Sequence, residues 1–550
     1  MHPSALAYTL YKIPLGMKYT TFKIPKKSGG DRIISAPSPR LKRLQRSIAD
    51  LLADCRKELE EKTPRKIVSH AFRKEASIST NARQHRKRHY VLNLDLENFF
   101  PTFNFGRVRG YFIKNKDFAL NPSVATVIAQ IACDGTALPQ GSPCSPIISD
   151  LLGHILDVRL LKLARKYKCT YSRYADDLTF STNQADFPEK IAFQVDAGAS
   201  AWALGGELLS QLDRLGFSAN HKKTRMQYRG SQQVVTGLTV NERVNIRASY
   251  YRGARKMCSA LFATGTYHKP DATADASGKM PKGNIAQLEG ILNHIYYIKE
   301  QEKIRTFSTE KVTAPKHGAE RLYDRFLFFK KCVALSQPLV ICEGKTDSIY
   351  LDAAIRHLPK YNGSLYSIVG GKKQSNIQYF NYTNVVQQVM SMGGGTSSFI
   401  PFIQRYEKMV ARFKYAPLAH PVILLIDNDD GAKGVFSSLK HITINHTTPA
   451  PFYRISRNLY LVKTPEKPPP GYSMIEDLFQ PALLGALVSG KSFNPAKVID
   501  TKKEYGKAVF AERVVAPGAA TIDFTGFIPL LDRVVAVIAH HATLVAKGAV

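Results

Sequence analysis

Two short apolar runs that each end on carboxylates constrain this chain more than any other feature of its 550 residues. The first, His89-Tyr90-Val91-Leu92-Asn93-Leu94-Asp95, reads as a strand that delivers Asp95 at its end. The second, Thr170-Tyr171-Ser172-Arg173-Tyr174-Ala175-Asp176-Asp177-Leu178-Thr179-Phe180-Ser181, reads as a tight β-hairpin with Asp176 and Asp177 at its tip. An isolated Asp-Asp pair is ordinary turn chemistry. The repeated layout points elsewhere, because two hydrophobic strands that each deliver a carboxylate at one end can build a shared cation site. Two Mg²⁺ ions about 4 Å apart, held by such carboxylates, suit in-line attack at phosphorus. Neighbouring strand residues face opposite ways, so Asp176 and Asp177 both reach metal only if the tip bends. Asp95 and Asp176 lead as ligands, with Asp177 next.

The bulk charge agrees with a nucleic-acid partner. A net charge of +33 calls for a polyanion, and an anionic membrane surface is the alternative. The length implies two to four domains. No run of 18 or more apolar residues is present and the first residues lack a signal-peptide layout, so no membrane partner and a cytoplasmic location are expected. Seven cysteines without a Cys-x-x-Cys pair read as reduced, mostly buried thiols, with no zinc site. Residues 12–46 hold ten Lys or Arg against one acid, Asp31. Within them, Phe22 to Ile34 is a strand, a Gly29-Gly30 turn and a strand, a hairpin able to fold cations and N–H groups over a triphosphate. Asn81 to His89 forms a basic patch suited to phosphate.

Taken in order, Leu94-Asp95-Leu96-x-x-Phe99-Phe100, Leu138-Pro139-Gln140-Gly141-Ser142-Pro143 and Tyr174-Ala175-Asp176-Asp177 resemble the palm of a reverse transcriptase. Asn81-Ala82-x-x-His85 and Val235-Thr236-Gly237 make the chain similar to retron reverse transcriptases in particular. The resemblance spans roughly residues 10–333. It implies fingers over 1–90, a palm with fingers elements over 91–245 and a thumb over 246–333. It also implies roles. Asp95, Asp176 and Asp177 hold two Mg²⁺. Lys26 or Lys27 and Arg32 grip the incoming dNTP, and Phe100 packs under its sugar. Gln140 and Gly141 line the templating pocket, and Lys223 approaches the departing pyrophosphate. Asn81, Arg83, His85, Arg86, Lys87, Arg88, Val235, Thr236 and Gly237 contact a structured non-coding RNA, which is primed from a 2′-hydroxyl and copied into multicopy single-stranded DNA.

From about residue 334 the texture changes. Pro338-Leu339-Val340-Ile341-Cys342 runs into Glu343-Gly344-Lys345-Thr346-Asp347, and Pro421 to Ile426 runs into Asp427-Asn428-Asp429. Continuous apolar strands alternating with helices predict a parallel sheet whose ligands bind at the strands' carboxyl ends. An acidic cluster there, on so basic a chain, reads as one or two Mg²⁺. The pattern resembles a TOPRIM domain, and Glu343-Gly-x-x-Asp347 with Ile475-Glu476-Asp477 leans towards its nuclease branch. The fold expected is therefore multidomain α+β and α/β: a right-hand polymerase followed by a TOPRIM parallel-sheet domain with a C-terminal extension over 334–550. Lys507 reads as a surface lysine, with a phosphate-facing lysine of that site the alternative, and Gly393 to Gly395 as a flexible loop. The resemblance implies a metal-dependent nuclease effector in antiphage defence, held silent by an RNA–DNA hybrid. A non-catalytic TOPRIM scaffold and an RNA–DNA binding or toxin-neutralising particle are the alternatives, and homo-oligomerisation stays open.

Overall fold

The structure, a computed structural model, describes every residue except 1, 27–28, 63–66, 196–200, 270–277, 307–315, 469–470 and 497, with residues 302–306 described in backbone only. The chain forms two compact units, Met1–Tyr250 with Tyr297–Glu310 and Tyr251–Tyr296 with Lys311–Val550.

The first unit opens on an antiparallel hairpin, β1 (Tyr19–Pro25) and β2 (Asp31–Pro37), followed by helix α1 (Pro39–Lys62) and the short helix α2 (Ile78–Arg83). Then come β3 (Tyr90–Asp95), helix α3 (Ser145–Lys166), β4 (Thr170–Tyr174), β5 (Asp177–Thr182) and β6 (Arg225–Tyr228). The four strands make one antiparallel sheet in the order β4-β5-β3-β6. Strand alternation separates its faces. Leu92, Leu94, Leu178, Phe180 and Tyr171 are buried in the apolar core that includes α3. Asn93, Asp95, Asp177 and Thr179 point the other way. A small hairpin, β7 (Val234–Val235) and β8 (Leu238–Thr239), follows β6.

One charge sits on the core face. Arg173 pairs with Leu178 across β4 and β5, and its side chain is fully buried. Its Nε donates to Asp157 Oδ1 at 2.8 Å and its Nη2 to Asp157 Oδ2 at 2.7 Å and Asp150 Oδ1 at 3.2 Å. Asp150 also accepts from Arg56 of α1 at 2.8 Å and from Ser69 at 2.5 Å, and pairs with Arg73 at 3.2 Å. Both acids come from α3, two turns apart on one face. Gly153 stands between them, where a Cβ would lie 2.9 Å from Arg173 Nη2. Burial alone would raise the Asp150 pKa, but Arg173, Arg73 and Arg56 outweigh it and hold it below the ordinary carboxylate value.

The second unit contains β9 (Leu339–Cys342), α4 (Asp347–His357), a two-stranded arm of β10 (Tyr366–Val369) and β11 (Lys372–Ser375), β12 (Gln378–Tyr379) and α5 (Thr396–Val410). β13 (Val422–Ile426), β14 (Tyr453–Ser456), β15 (Leu459–Lys463) and α6 (Ile528–Ala546) complete it. The sheet runs β12-β9-β13-β15-β14, parallel throughout except for the edge strand β14. The parallel sheet expected from the apolar runs is thus present, and every residue of β9 and β13 is buried. Helix α6 is long and apolar enough by length and composition to cross a membrane. That composition escaped a search for uninterrupted apolar runs because Asp532, Arg533, His540 and His541 break it. Here Leu530, Leu531, Val534 and Val537 join the unit's core, and buried His541 lies 2.8 Å from the Leu418 carbonyl.

The stretch 246–333, expected as one thumb, is divided between the units. Phe262 packs on Phe329 and Phe413 at ring-centroid distances of 5.4 and 5.2 Å, and Tyr296 on Tyr323 at 5.9 Å. A helical stripe such as Leu288, Leu292 and Ile295, all buried, announces a buried face but not its partner.

Asp150→Asn leaves the buried arginines with too little negative charge and is expected to destabilise the first unit by about 3–5 kcal/mol. Urea unfolding followed through Trp202, the chain's one tryptophan and a first-unit residue, reports it. An unchanged midpoint would contradict the importance of the network.

Candidate functional site

In the first sheet Asp95 stands directly opposite Asp177 in the β3–β5 register. β4 and β5 are joined by Ala175 and Asp176 alone, and Ala175 has φ +56°. That bend takes Asp176 out of strand alternation, as joint metal binding requires. The Leu96 N–H donates to the Asp176 carbonyl at 3.0 Å, tying the tip to the chain after β3. Asn220 N–H donates to the Asp95 carbonyl at 2.8 Å, and Lys223 Nζ, one short turn later, reaches both Asp95 carboxylate oxygens at 3.0 and 2.9 Å. Lys223, expected near a departing pyrophosphate, here pairs with Asp95.

Burial, then Asp176 and Asp95, push the Asp177 pKa up to about 7, and Lys223 opposes them. Asp176 is raised by burial and by Asp95, with Lys223 and Arg32 opposing. The fingers cation Arg32 therefore acts electrostatically on the tip. Acids that raise one another's pKa, with one lysine among them, fit a divalent-cation site. Beside them opens a cleft of about 500 Å³ lined by Asp95, Tyr174, Asp177, Arg225, Thr236 and Arg247. Arg225 and Arg247 carry no motif and were not anticipated.

The other expected residues divide. Phe99 is buried against Phe103 and Phe217, and Phe100 is half-buried beside Phe72. Gln140 accepts from Ser35 N–H of β2 at 2.8 Å, and a Cβ on Gly141 would stand 2.7 Å from Ser35 O. The pair docks the fingers hairpin. Lys26 is exposed, and Lys27 lies outside the described residues.

Asn81 and His85, expected to touch RNA, are fully buried. The His85 ring nitrogens lie 2.8 Å from Ser181 Oγ and 2.7 Å from Ser172 Oγ, and Ser172 Oγ donates to Asn81 Oδ1 at 2.7 Å. Ser181 shares the sheet face of Asp177, so α2 and His85 cover the lower part of that face and leave the upper part open. Both residues brace strands, and that use corrects the reading of them as RNA contacts. Val235 is buried as well. Of the remaining set Lys87 and Gly237 are exposed, while Arg83, Arg86, Arg88 and Thr236 are half-buried. Arg83 donates to the Gln301 carbonyl at 2.6 Å and Arg88 to Thr170 Oγ1 at 3.1 Å.

A second acidic cluster lies in the other unit. Glu343 follows β9 and Asp427 follows β13, and these strands are parallel neighbours, so both acids leave the same sheet edge. Asp347 Oδ2 accepts the Gly344 N–H at 2.7 Å, and a Cβ on Gly344 would stand 2.5 Å from Asp347 Oδ1, which accounts for the Glu-Gly-x-x-Asp spacing. Asp427 Oδ1 accepts the Ile475 N–H at 2.8 Å, bringing in Glu476, whose Oε2 meets Lys507 Nζ at 2.9 Å. Asp429 Oδ1 caps the Gly431 N–H at 2.8 Å. Burial, then Asp347 and Glu476, push the Asp427 pKa up to about 8, with Lys507 opposing. Burial also raises Glu343, Asp347 and Glu476. Glu343 Oε2 and Glu476 Oε1 are buried without a hydrogen-bond partner among the described residues. Orphaned carboxylate oxygens in a set this acidic fit a bound cation.

Lys507, read as a surface lysine, is the cation of this cluster. Nothing in its sequence neighbourhood marks it. The Gly393–Gly395 stretch, read as a flexible loop, donates the Gly395 N–H to the Glu343 carbonyl at 3.1 Å and leads into α5.

A strand and hairpin presenting three acids on one open sheet face, with an arginine-bearing hairpin acting on them, define a nucleic-acid polymerase palm. The family model for "Reverse transcriptase (RNA-dependent DNA polymerase)" matches residues 24–241. Retron Mx65 reverse transcriptase of Myxococcus xanthus is 36% identical over 263 residues, covering 43% of this chain and 56% of that protein. Retron Ec86 reverse transcriptase of Escherichia coli is 32% identical over 252 residues, covering 44% of this chain and 70% of that protein. The chain belongs to the retron reverse transcriptase family. It spans about half the length of the two Myxococcus relatives it matches, 56% of one and 47% of the other. Among solved structures, a Candida albicans telomerase aligns with a TM-score of 0.31 at 11% identity, over 56% of this chain and 60% of that one.

His85→Ala strands two buried hydroxyls and opens a cavity. It is expected to cost about 2–4 kcal/mol in the Trp202-reported transition. RNA affinity of the folded variant, measured below its unfolding temperature, should stay near wild type. A selective loss of RNA binding without loss of stability would restore His85 as a contact.

Proposed function

We propose that the first unit is an RNA-directed DNA polymerase that copies a structured non-coding RNA into multicopy single-stranded DNA, primed from a 2′-hydroxyl of that RNA. The observation that carries this reading is Asp95 in register with Asp177, beside Asp176 lifted by the Ala175 bend. Divalent cations held by Asp95, Asp176 and Asp177 would lower the pKa of the attacking hydroxyl and offset charge on the leaving pyrophosphate. Lys223 supplies a positive charge beside Asp95 and is placed to hold a proton for the leaving group. Arg32 and Lys26, with Lys27, grip the dNTP phosphates, and Phe100 packs beneath the sugar. Gln140 and Gly141 keep the fingers hairpin over the template. Arg83, Arg86, Lys87, Arg88, Thr236 and Gly237 contact the RNA.

The second unit we read as a TOPRIM nuclease effector in antiphage defence. Its support is the convergence of Glu343, Asp347, Asp427, Asp429 and Glu476 at one parallel-sheet edge, with two carboxylate oxygens left unpaired. Those acids would hold Mg²⁺, and Lys507 would face the scissile phosphate once released from Glu476.

Expression with the neighbouring non-coding locus, followed by extraction of bound nucleic acid, tests both parts. The wild-type chain should yield a discrete short DNA joined to RNA. Asp176→Asn with Asp177→Asn should lower its amount by at least about a thousandfold, the scale of losing the charge-stabilising groups of such a site. Glu343→Gln should leave that DNA unchanged and abolish Mg²⁺-dependent cleavage of nucleic acid by the purified protein. Heterogeneous RNA without joined DNA would overturn the polymerase reading. Cleavage that survives Glu343→Gln would overturn the nuclease reading alone.

A further inference from the structure

The β10–β11 arm of the second unit is used by neither site. Its register pairs Tyr366 with Ser375, Ser367 with Gln374, Ile368 with Lys373 and Val369 with Lys372. The turn is Gly370-Gly371, with φ +56° and +76°, both in the region that favours glycine. The tip presents two branched apolar side chains, Ile368 at 55% and Val369 at 60% exposure, each opposite a lysine. Branched apolar residues at the end of a two-stranded ribbon have no core to join here.

The base of the arm is fixed. Lys373 Nζ donates to the Arg356 carbonyl at 2.5 Å, Arg356 Nη1 donates back to the Lys373 carbonyl at 3.0 Å, and Lys373 lies over the Tyr366 ring at 5.5 Å. Asn376 Nδ2 donates to Ser367 Oγ at 2.9 Å. The arm is therefore a braced projection whose second face, with Val369, Lys372 and Gln374, stands exposed. Residues 353–406 contain no Asp or Glu, yet include Arg356, Lys360, Lys372, Lys373 and Arg405, of which Lys360 meets Asp532 at 2.7 Å and Arg405 meets Asp324 at 2.9 Å. Asp352, just before this stretch, is held by Arg356 at 2.7 Å.

We propose that this arm enters a groove of double-stranded nucleic acid, Lys372 meeting a phosphate while Ile368 and Val369 wedge against a base step. A two-stranded ribbon has the cross-section a duplex groove admits, and apolar wedges flanked by cations are how such elements unstack a step. A single strand is a poorer fit, because the tip carries no aromatic ring for bases to stack on. A second copy of the chain is also a poorer fit, because paired lysines beside a glycine turn blunt edge-to-edge pairing. The arm leaves the acidic cluster at the far end of α4, about 15 Å away, so it anchors a duplex apart from the carboxylates. The inference does not depend on that cluster being a nuclease.

The test uses the full chain, in EDTA, and a DNA duplex of roughly twenty base pairs with 2-aminopurine near its centre. Binding is titrated by anisotropy over a range of salt. Lys372→Ala should reduce the slope of log K against log salt by about 1. Ile368→Ala with Val369→Ala should keep the wild-type slope and lose the rise in 2-aminopurine fluorescence. The Ile368, Val369 and Lys372 side chains are all at the surface, and melting temperatures within a degree or so of wild type establish that folding is intact. An unchanged slope in the lysine variant overturns the proposal. So does a change of oligomeric state in sedimentation without a change of slope, which assigns the arm to a second copy.

Discussion

The palm depends on a buried guanidinium. Arg173 lies in the strand that leads to Asp176, on a face otherwise made of Tyr171, Leu178 and Phe180. An unpaired charge there would cost several kcal/mol, so the strand settles only where Asp150 and Asp157 meet it. Those acids come from one helix, and Asp150 gathers two more arginines from separate segments. One ion network thus fixes the position of α1, α3, the Arg73 loop and the β4–β5 hairpin together. The tip needs such support, because Asp95, Asp176 and Asp177 repel one another and push two of their pKa values up. Favourable electrostatics in the core offsets unfavourable electrostatics at the hairpin tip, three residues further along the chain.

The two acidic sites solve the same problem with different sheets. In the palm, antiparallel strands bring acids from a strand end and a hairpin tip face to face. In the second unit, parallel neighbours deliver Glu343 and Asp427 to a common edge without any turn between them. In both, burial is the largest cause of the raised pKa values and a single lysine opposes it, Lys223 in one and Lys507 in the other. On a chain of net charge +33, acids gathered this closely stand out.

Sequence reasoning reached the parts of this architecture that are written locally. A β-run ending on a carboxylate can be read residue by residue, and so can the apolar runs that became β9 and β13. It does not reach the role of Arg173, because its partners lie 16 and 23 residues away on a helix. The pairing of Lys507 with Glu476 is out of reach for the same reason, the two being 31 residues apart. Asn81 and His85 show a different failure. A motif that marks a family was taken to mark a ligand, yet its polar atoms answer two serines on the adjoining strands. Serines at positions 172 and 181 of otherwise bulky strands were the available signal, since a buried hydroxyl needs a partner.

Three glycines show how closely these devices are packed. A Cβ would lie 2.7 Å from Ser35 O at Gly141, 2.9 Å from Arg173 Nη2 at Gly153 and 2.5 Å from Asp347 Oδ1 at Gly344. Only Gly141 also has a positive φ, at +123°. At the other two the backbone is one any residue adopts, and space alone excludes a side chain. Each vacancy is filled by a neighbouring group: the Ser35 carbonyl of β2, the Arg173 guanidinium behind the acidic tip, and the Asp347 carboxylate of the second cluster. At these three glycines, unlike Gly237 where a Cβ would meet open space, a neighbouring group occupies the volume of a missing methyl group.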